Sequence, residues 1–361
     1  MNDKIYEELS QHLDKMPAGF AKTKSGAELK LLKKFYTPEQ AKIALQLSPI
    51  PEPSSKIAER LGMDLQEASE KIEQMAREGS VFRYRTAKGP LYSQANFLMG
   101  IYEWHVHAVD KEIAGYADDY YEAMFEHHWK GLETKQLRVV PVDQSIDGKD
   151  MVSSYHVLRD LVKGNGKGPY AVAPCICRVE KIHQGCENSR PLDTCLTFGA
   201  MAQYYIENGI GKQLTEDELM DKLKECEDAA LVPFATNSQE IANMCMCDDS
   251  CQLLKNLSKF EKPAEEVHSA YFAVINEELC SECGECIERC QMGAISEASR
   301  SAGADEMVMK VNIHRCIGCG LCVPTCPTEA IEMQIKTQLP DTPKTGMDMH
   351  MRLMLERMQS A

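Results

Sequence analysis

Cys280-Ser-Glu-Cys283-Gly-Glu-Cys286-Ile-Glu-Arg-Cys290 and Cys316-Ile-Gly-Cys319-Gly-Leu-Cys322-Val-Pro-Thr-Cys326-Pro327 are two copies of one spacing, Cys-x2-Cys-x2-Cys-x3-Cys. Two-residue steps let a tight loop present three thiolates to one small inorganic core. The longer last step begins a helical turn and points the fourth cysteine away from that core. Thiolates at these intervals are a ligand set for two cubane 4Fe–4S clusters, which do one-electron chemistry that no side chain does alone. Gly284, Gly318 and Gly320 permit positive φ in the wrapping loops. They also keep N–H groups near the sulfurs, where hydrogen bonds raise the reduction potential. Paired Cys-x2-Cys groups bind zinc too, but this triplet with a fourth cysteine, twice over, is poor zinc spacing.

On these eight cysteines the stretch at about 270–338 resembles bacterial-type dicluster ferredoxins. The resemblance implies crossed ligation: Cys280, Cys283, Cys286 and Cys326 on one cluster, and Cys316, Cys319, Cys322 and Cys290 on the other. Two departures stand out. Gln291 follows Cys290 where the family has proline, and a polar insertion separates the runs at 297–306. Neither removes a ligand. Short strands are expected at Tyr271–Ile275, at 307–313 and at Ile331–Ile335, bounding the cysteine loops in a small α+β pattern.

The remaining cysteines are Cys175, Cys177, Cys186, Cys195, Cys226, Cys245, Cys247 and Cys251. Cys226 lies alone on a charged stretch and reads as a small apolar core residue. The Cys-x-Cys pairs fit that reading badly. They suit a further centre drawn from Cys175, Cys177, Cys186, Cys195, Cys245, Cys247 and Cys251, either a third iron–sulfur cluster or zinc. A redox-active disulfide among the same thiols is a third reading. Arg178, beside the first pair, either offsets thiolate charge or makes a surface salt bridge. A helix is expected over 195–208, a second one opened by the Thr215–Glu218 capping box, and a strand at 231–235. This segment ahead of a dicluster ferredoxin is similar to a group of iron–sulfur proteins of anaerobic bacteria, over about 20–338. Members carry a denser cysteine cluster where this chain has Asp248 and Asp249.

No cysteine precedes Cys175, and the N-terminal third reads differently. Helices are expected at 42–48, 54–61 and 65–78, separated by Pro49, Pro51, Pro53 and Gly62, then a hairpin at 81–85 and 91–93. In that order the elements resemble winged helix-turn-helix regulators over about 25–95. The third helix carries Asp64, Glu67, Glu70 and Glu73 against Lys71 and Arg77, which repels phosphates. Only the hairpin, with Arg83, Arg85 and Lys88, invites nucleic acid. A docking or structural role is therefore the expectation.

Residues 96–165 are expected to be helical and connective. His105 and His107, two apart, do not share a helix face, and with His127 and His128 they read as ordinary histidines. Lys163-Gly-Asn-Gly-Lys-Gly168 reads as a linker, not a phosphate loop. No dinucleotide fingerprint occurs. Met347, Met351, Met354 and Met358 make one apolar stripe on a tail helix, and Pro340 and Pro343 set it apart for docking onto something else.

The chain has 361 residues, 16 cysteines and a net charge of −15. That length implies several domains. Met1–Ala18 is charged rather than basic and then apolar, so no leader is expected. No apolar run reaches the roughly 18 residues of a membrane span. A reducing, cytoplasmic setting follows for cysteines kept as ligands. Between Asn276 and Thr337 ten acidic side chains face five basic ones, a charge that steers toward a basic redox partner.

The expected architecture is α+β and multidomain. It runs from a helical segment at 1–24 through a winged-helix-like domain at 25–95 and a connector at 96–165. A Cys-rich domain at 166–262, the ferredoxin-like dicluster domain at 270–338 and a Met-rich tail helix at 339–361 complete it. The expected function is electron transfer through two 4Fe–4S clusters to or from a redox protein or oxidoreductase. The alternatives are a redox-sensing DNA-binding regulator and an oxidoreductase centred on Cys175–Cys251.

Overall fold

The computed structural model describes residues 3–146, 158–164, 168–299 and 307–360. Helix and strand are mixed throughout, and the chain divides into two compact units, each discontinuous in sequence. One comprises Met1–Leu132, Pro169–Leu214 and His350–Ala361; the other comprises Glu133–Gly168 and Thr215–Met349.

In the first unit, helix Asp3–Asp14 buries Tyr6, Leu9 and Leu13 on one face, and Ala27–Phe35 buries Leu31, Leu32 and Phe35. The next helix spans Pro38–Ala44, earlier than the sequence reading at 42–48. Thr37 accepts from Gln40 N, and Gln40 reaches back to Thr37 N, so this capping box fixes the start. Ser54–Leu61 stops at Gly62 in the left-handed region, and Asp64 caps Leu65–Arg77 through Gln66 N and Glu67 N. The hairpin Phe82–Thr86 with Gly89–Ser93 follows, and Glu52–Pro53 adds a short third strand.

Tyr170–Pro174 is the centre of another antiparallel set in this unit, flanked by Asp193–Phe198 and Lys212–Leu214. The expected helix over 195–208 therefore starts only at Gly199. Thr194, Leu196 and Phe198 are buried at every second position, a strand period, and Gly199 turns the chain at φ +56° into helix Gly199–Glu207. Tyr204 of that helix donates to Ala76 O and Val81 O, fastening it to the hairpin region.

The tail helix Gly346–Ser360 is fastened to its own chain on one face. In the first unit, Arg357 donates to Asp14 Oδ1, Asp14 O and Met16 O, each at 2.8 Å, and His350 Nε2 lies 3.0 Å from Asn96 Nδ2. Leu353 is buried, whereas Met351 and Met358 are exposed.

In the second unit, Val232–Thr236 pairs antiparallel with Leu137–Val139 on one side and Asn243–Cys247 on the other. Leu137–Val139 is a strand inside the stretch read as helical. Helix Glu216–Asp228 opens on the expected Thr215–Glu218 capping box. Tyr271–Ile275 pairs antiparallel with Ile331–Ile335, and Ile295–Ser299 with Met307–Val311. The polar insertion and the glycine-rich linker lie partly outside the described residues.

Candidate metal centres

The two cysteine runs wrap two cavities, and each run sends its last cysteine to the other's cavity. The first cavity, about 300 Å³ of empty space, is lined by Cys280, Cys283, Cys286 and Cys326, with Met309 and Ile331 closing it. The second, about 400 Å³, is lined by Cys316, Cys319, Cys322 and Cys290, with Ile295 and Leu321 among the apolar walls. Glu285–Arg289 is the short helix that carries Cys290 across.

The backbone of the two halves is repeated almost residue for residue. Ala294 N lies 3.3 Å from Cys290 Sγ, and Ala330 N lies 3.3 Å from Cys326 Sγ, each amide four residues past its cysteine. Ala273 N adds a third such contact at 3.4 Å to Cys316 Sγ. Gly284 and Gly320 are matched at φ +78° and +75°. Glu282 at φ +59° stands where the second run has Gly318 at +75°. Gly318 has no alternative: a Cβ there would strike Tyr271 O and Ser269 Oγ, and one at Gly320 would strike Ser145 Oγ.

Four thiols around one cavity carry a cost as free thiolates. Burial pushes Cys316 and Cys286 up, lifts Cys319 to about 12, and raises Cys322 well beyond the usual range, with the neighbouring thiols adding to it. Cys326 is partly buried, yet the amide of Ala330 and the hydroxyl of Thr328 hold it below the usual value. Cationic iron held in each cavity would remove the penalty, and the amide-to-sulfur contacts suit cluster ligands. The donor set thus fits a 4Fe–4S group in each cavity. The first lies nearer solvent, with Cys283 exposed; Cys316 and Cys322 of the second are buried.

Arg289 is a site residue that spacing did not reveal. It lines the second cavity and donates to Glu227 O at 2.6 Å, Asp228 O at 2.9 Å and Leu321 O at 3.4 Å. No local sequence signal marks it, since its acceptors are main-chain carbonyls.

The upstream cysteines fall in both units. In the first, Cys175 stands just before helix Ile176–His183 and Cys177 follows in its first turn, both half-buried. Arg178 is fully buried and donates to Thr194 Oγ1 at 2.6 Å, so the surface salt-bridge reading is wrong. Cys186 is exposed beyond the far end of that helix, about 12 Å of helix away. Cys195 sits opposite Ala173 on its strand, with Sγ 4.0 Å from Tyr205 Oη. Burial pushes up the hydroxyls of Tyr102, which donates to Glu180 Oε1 at 2.6 Å, and of Tyr121, and nearby Glu180 and Cys177 add to it. In the second unit, Cys245 and Cys251 push the thiol of buried Cys247 up, and burial adds to it. Cys226 is fully buried in the core.

The histidines have structural partners. His105 stacks on Phe35 with ring centroids 4.3 Å apart and bonds Ile101 O at 2.6 Å, and His107 bonds Ile210 O at 3.1 Å. Arg83 and Arg85 of the hairpin are drawn into pairs with Glu73 and Glu207.

A family model described as a 4Fe-4S dicluster domain matches residues 273–333, the stretch that holds both cavities. No curated protein and no solved structure matches the chain. The chain therefore carries a ferredoxin-like, iron–sulfur-binding dicluster domain within a larger α+β protein. No helix among the described residues is long and apolar enough to cross a membrane.

Proposed function

We propose that this protein is an electron carrier that passes single electrons between redox partners through two 4Fe–4S clusters. Cys280, Cys283, Cys286 and Cys326 would hold one cluster, and Cys316, Cys319, Cys322 and Cys290 the other. The observation that carries the reading is the exchange of fourth cysteines between the two cavities, which places both sites in one small shared core. Bound there, the clusters supply reversible one-electron transfer.

The chain's own part is to hold, tune and present. Thiolates fix the positions, and the amides of Ala273, Ala294 and Ala330 donate to sulfur. Such contacts favour the more negative, reduced state. Arg289 adds positive charge on the second side. Around exposed Cys283 the surface bears Glu278, Glu282, Glu285 and Glu288, with Leu279 exposed among them. That face suits a partner with a basic patch around an apolar centre, which steers encounter and sets orientation. A redox protein or oxidoreductase is the partner class, in a cytoplasmic setting.

The winged-helix-like region serves docking in this reading, because Arg83 and Arg85 are occupied by carboxylates. The upstream cysteines stay candidate ligands of a further iron–sulfur or zinc centre. Cys245 and Cys247, two apart on strand Asn243–Cys247, share one face of it, which supports that part.

Anaerobic iron and sulfide analysis with electron paramagnetic resonance tests the proposal. About eight iron and eight sulfide per chain are expected, with a reduced spectrum of two interacting centres. A preparation with zinc in place of iron at these eight cysteines, or one that no reductant converts, would overturn it.

A further inference from the structure

The two cysteine runs share one spacing, so every residue of one loop has a counterpart in the other. The counterparts differ in what surrounds them. Ser281, Glu282 and Cys283 are exposed, whereas Ile317 and Gly318 are buried and Cys319 is half-buried. Glu285 is exposed where Leu321 is buried. Pro327, which follows Cys326, is exposed, and Gln291, which follows Cys290, is half-buried. Because the fourth cysteines cross, Pro327 belongs to the first site and Gln291 to the second. Both differences therefore fall the same way: the first site opens to solvent and the second is enclosed.

Main chain from three parts of the same unit makes the enclosure. Val142 N donates to Cys319 O at 2.9 Å, and Ser145 braces that turn, its N and Oγ donating to Val142 O at 3.0 and 2.7 Å. Ser145 Oγ fills the space that a side chain at Gly320 would need, and Tyr271 O and Ser269 Oγ fill it at Gly318. Around Cys290, Arg289 holds Glu227 O and Asp228 O, while Gln291 Nε2 donates to Ala230 O at 3.1 Å and its Oε1 accepts from Asp249 N at 3.1 Å. The first site has no equivalent cover. No described atom lies within 4 Å of where a Cβ would stand at Gly284, the counterpart of Gly320. Thr325, the counterpart of Arg289, donates within its own loop to Cys322 O at 3.3 Å, and Pro327 has no N–H to give.

We propose that the two iron–sulfur sites act in series behind a single port: a protein partner exchanges electrons with the first site alone, and the second is an interior station filled and emptied through it. The inference rests on the two-cluster reading and adds an order to it. Each step moves one electron and no atom. A one-electron donor is oxidised as the first site is reduced, and the first site is reoxidised as the second is reduced; discharge runs the same steps backwards. The port is the loop around Cys283, where exposed Glu282 and Glu285 favour a partner that brings basic side chains. A partner approaching the second loop meets Pro141, Ser145 and Tyr271 first.

The test mixes the anaerobically purified, dithionite-reduced full chain with ferricytochrome c, a basic haem protein that takes one electron, and follows haem reduction by stopped flow. Glu282→Lys with Glu285→Lys leaves every cysteine in place. In that double variant both electrons should leave about tenfold more slowly, because both use the same port. Slowing of one electron with the other untouched would mean two independent ports and would overturn the proposal. Cys280→Ala with Cys283→Ala removes the first site and lowers iron from about eight to about four per chain. The electron left on the second site should then reach the haem on the order of a hundredfold more slowly. Delivery near the parent's rate would overturn the proposal as well. Should the cysteine variant fail to fold, the charge reversal still decides. Iron content of the parent is read first. A parent without about eight iron sinks the two-cluster reading itself, whereas about eight iron with either adverse rate sinks only the order.

Discussion

Arg289 donates through Nη2 to the main-chain oxygen of Glu227 across 2.6 Å, tying the residue before Cys290 to the last turn of helix Glu216–Asp228. Its other donors reach Asp228 O and Leu321 O. One guanidinium thus joins a helix end, the crossing helix and the second cysteine loop. The helix end is a suitable acceptor, since its last carbonyls carry partial negative charge; Glu227 O accepts from Ala230 N at 2.9 Å as well. In Arg289→Met the second centre should shift to lower potential and release iron faster to a chelator, while the first stays unchanged. Arg289→Lys keeps the charge but not the fork, so it should restore the potential more than the retention. A redox titration read by paramagnetic resonance, with chelator kinetics beside it, checks both.

Gly318 and Gly284 separate two reasons for a glycine. Both have φ above +70°, but only Gly318 faces atoms that a Cβ would strike. Gly284→Ala should cost about 1 kcal/mol of backbone strain and keep its iron. Gly318→Ala should push Tyr271 from the second loop and lower iron from about eight to about four per chain. Iron analysis of the two variants is the measurement; equal losses would defeat the argument.

What could be read from the chain beforehand was what is local along it. Cysteine intervals, the Thr215–Glu218 capping box and the stops at Gly62 and Gly209 each act within a few residues. Asp193–Phe198 misled because its short apolar run was read together with the helical pattern that follows it, and pairing with Tyr170–Pro174 selects the strand. The tail helix is held by a long-range contact that no local pattern marks: Arg357 donates to Asp14, 343 residues away. Arg289 was hidden for the same reason: its main-chain acceptors leave no mark in composition.

Glu103 gives the fold a pH signature. It is buried, and its Oε2 accepts from Gly100 N at 2.9 Å, beside Met99 at φ +60°. Burial pushes the carboxyl up from 4.5 to about 7, against the pull of the Gly100, Glu103 and Met99 amides. Between those values the folded chain keeps a proton that the unfolded chain releases. Stability therefore falls as pH rises from 4.5 to about 7 and levels off above it, by about 3 kcal/mol at most. Glu103→Gln keeps an acceptor and removes the ionisation. Its denaturation midpoint should exceed that of the parent at pH 8 and match it near pH 4. A gain independent of pH would show that packing, not charge, is responsible.

The hairpin arginines carry the last prediction. Arg83 has a side chain only 2% exposed and is held between Glu73 at 3.0 Å and Glu207 at 2.6 Å, and Arg85 shares both carboxylates. A nucleic-acid contact would have to break these pairs, leaving Glu73 and Glu207 to repel the same phosphates. Duplex DNA should therefore show no affinity that grows as salt is lowered, by contrast with a protein that neutralises phosphates. Arg83→Ala should instead act on the fold. It removes a buried guanidinium and leaves Glu73 and Glu207 to the more exposed Arg85, and should cost about 3 kcal/mol in chemical denaturation, while Arg85→Ala, nearer solvent, should cost about 1 kcal/mol. Glu73→Gln with Glu207→Gln frees the two arginines. DNA binding that appears only in that double variant would trace its absence in the parent to these pairs, whereas salt-sensitive binding by the parent itself would return the regulator reading to first place.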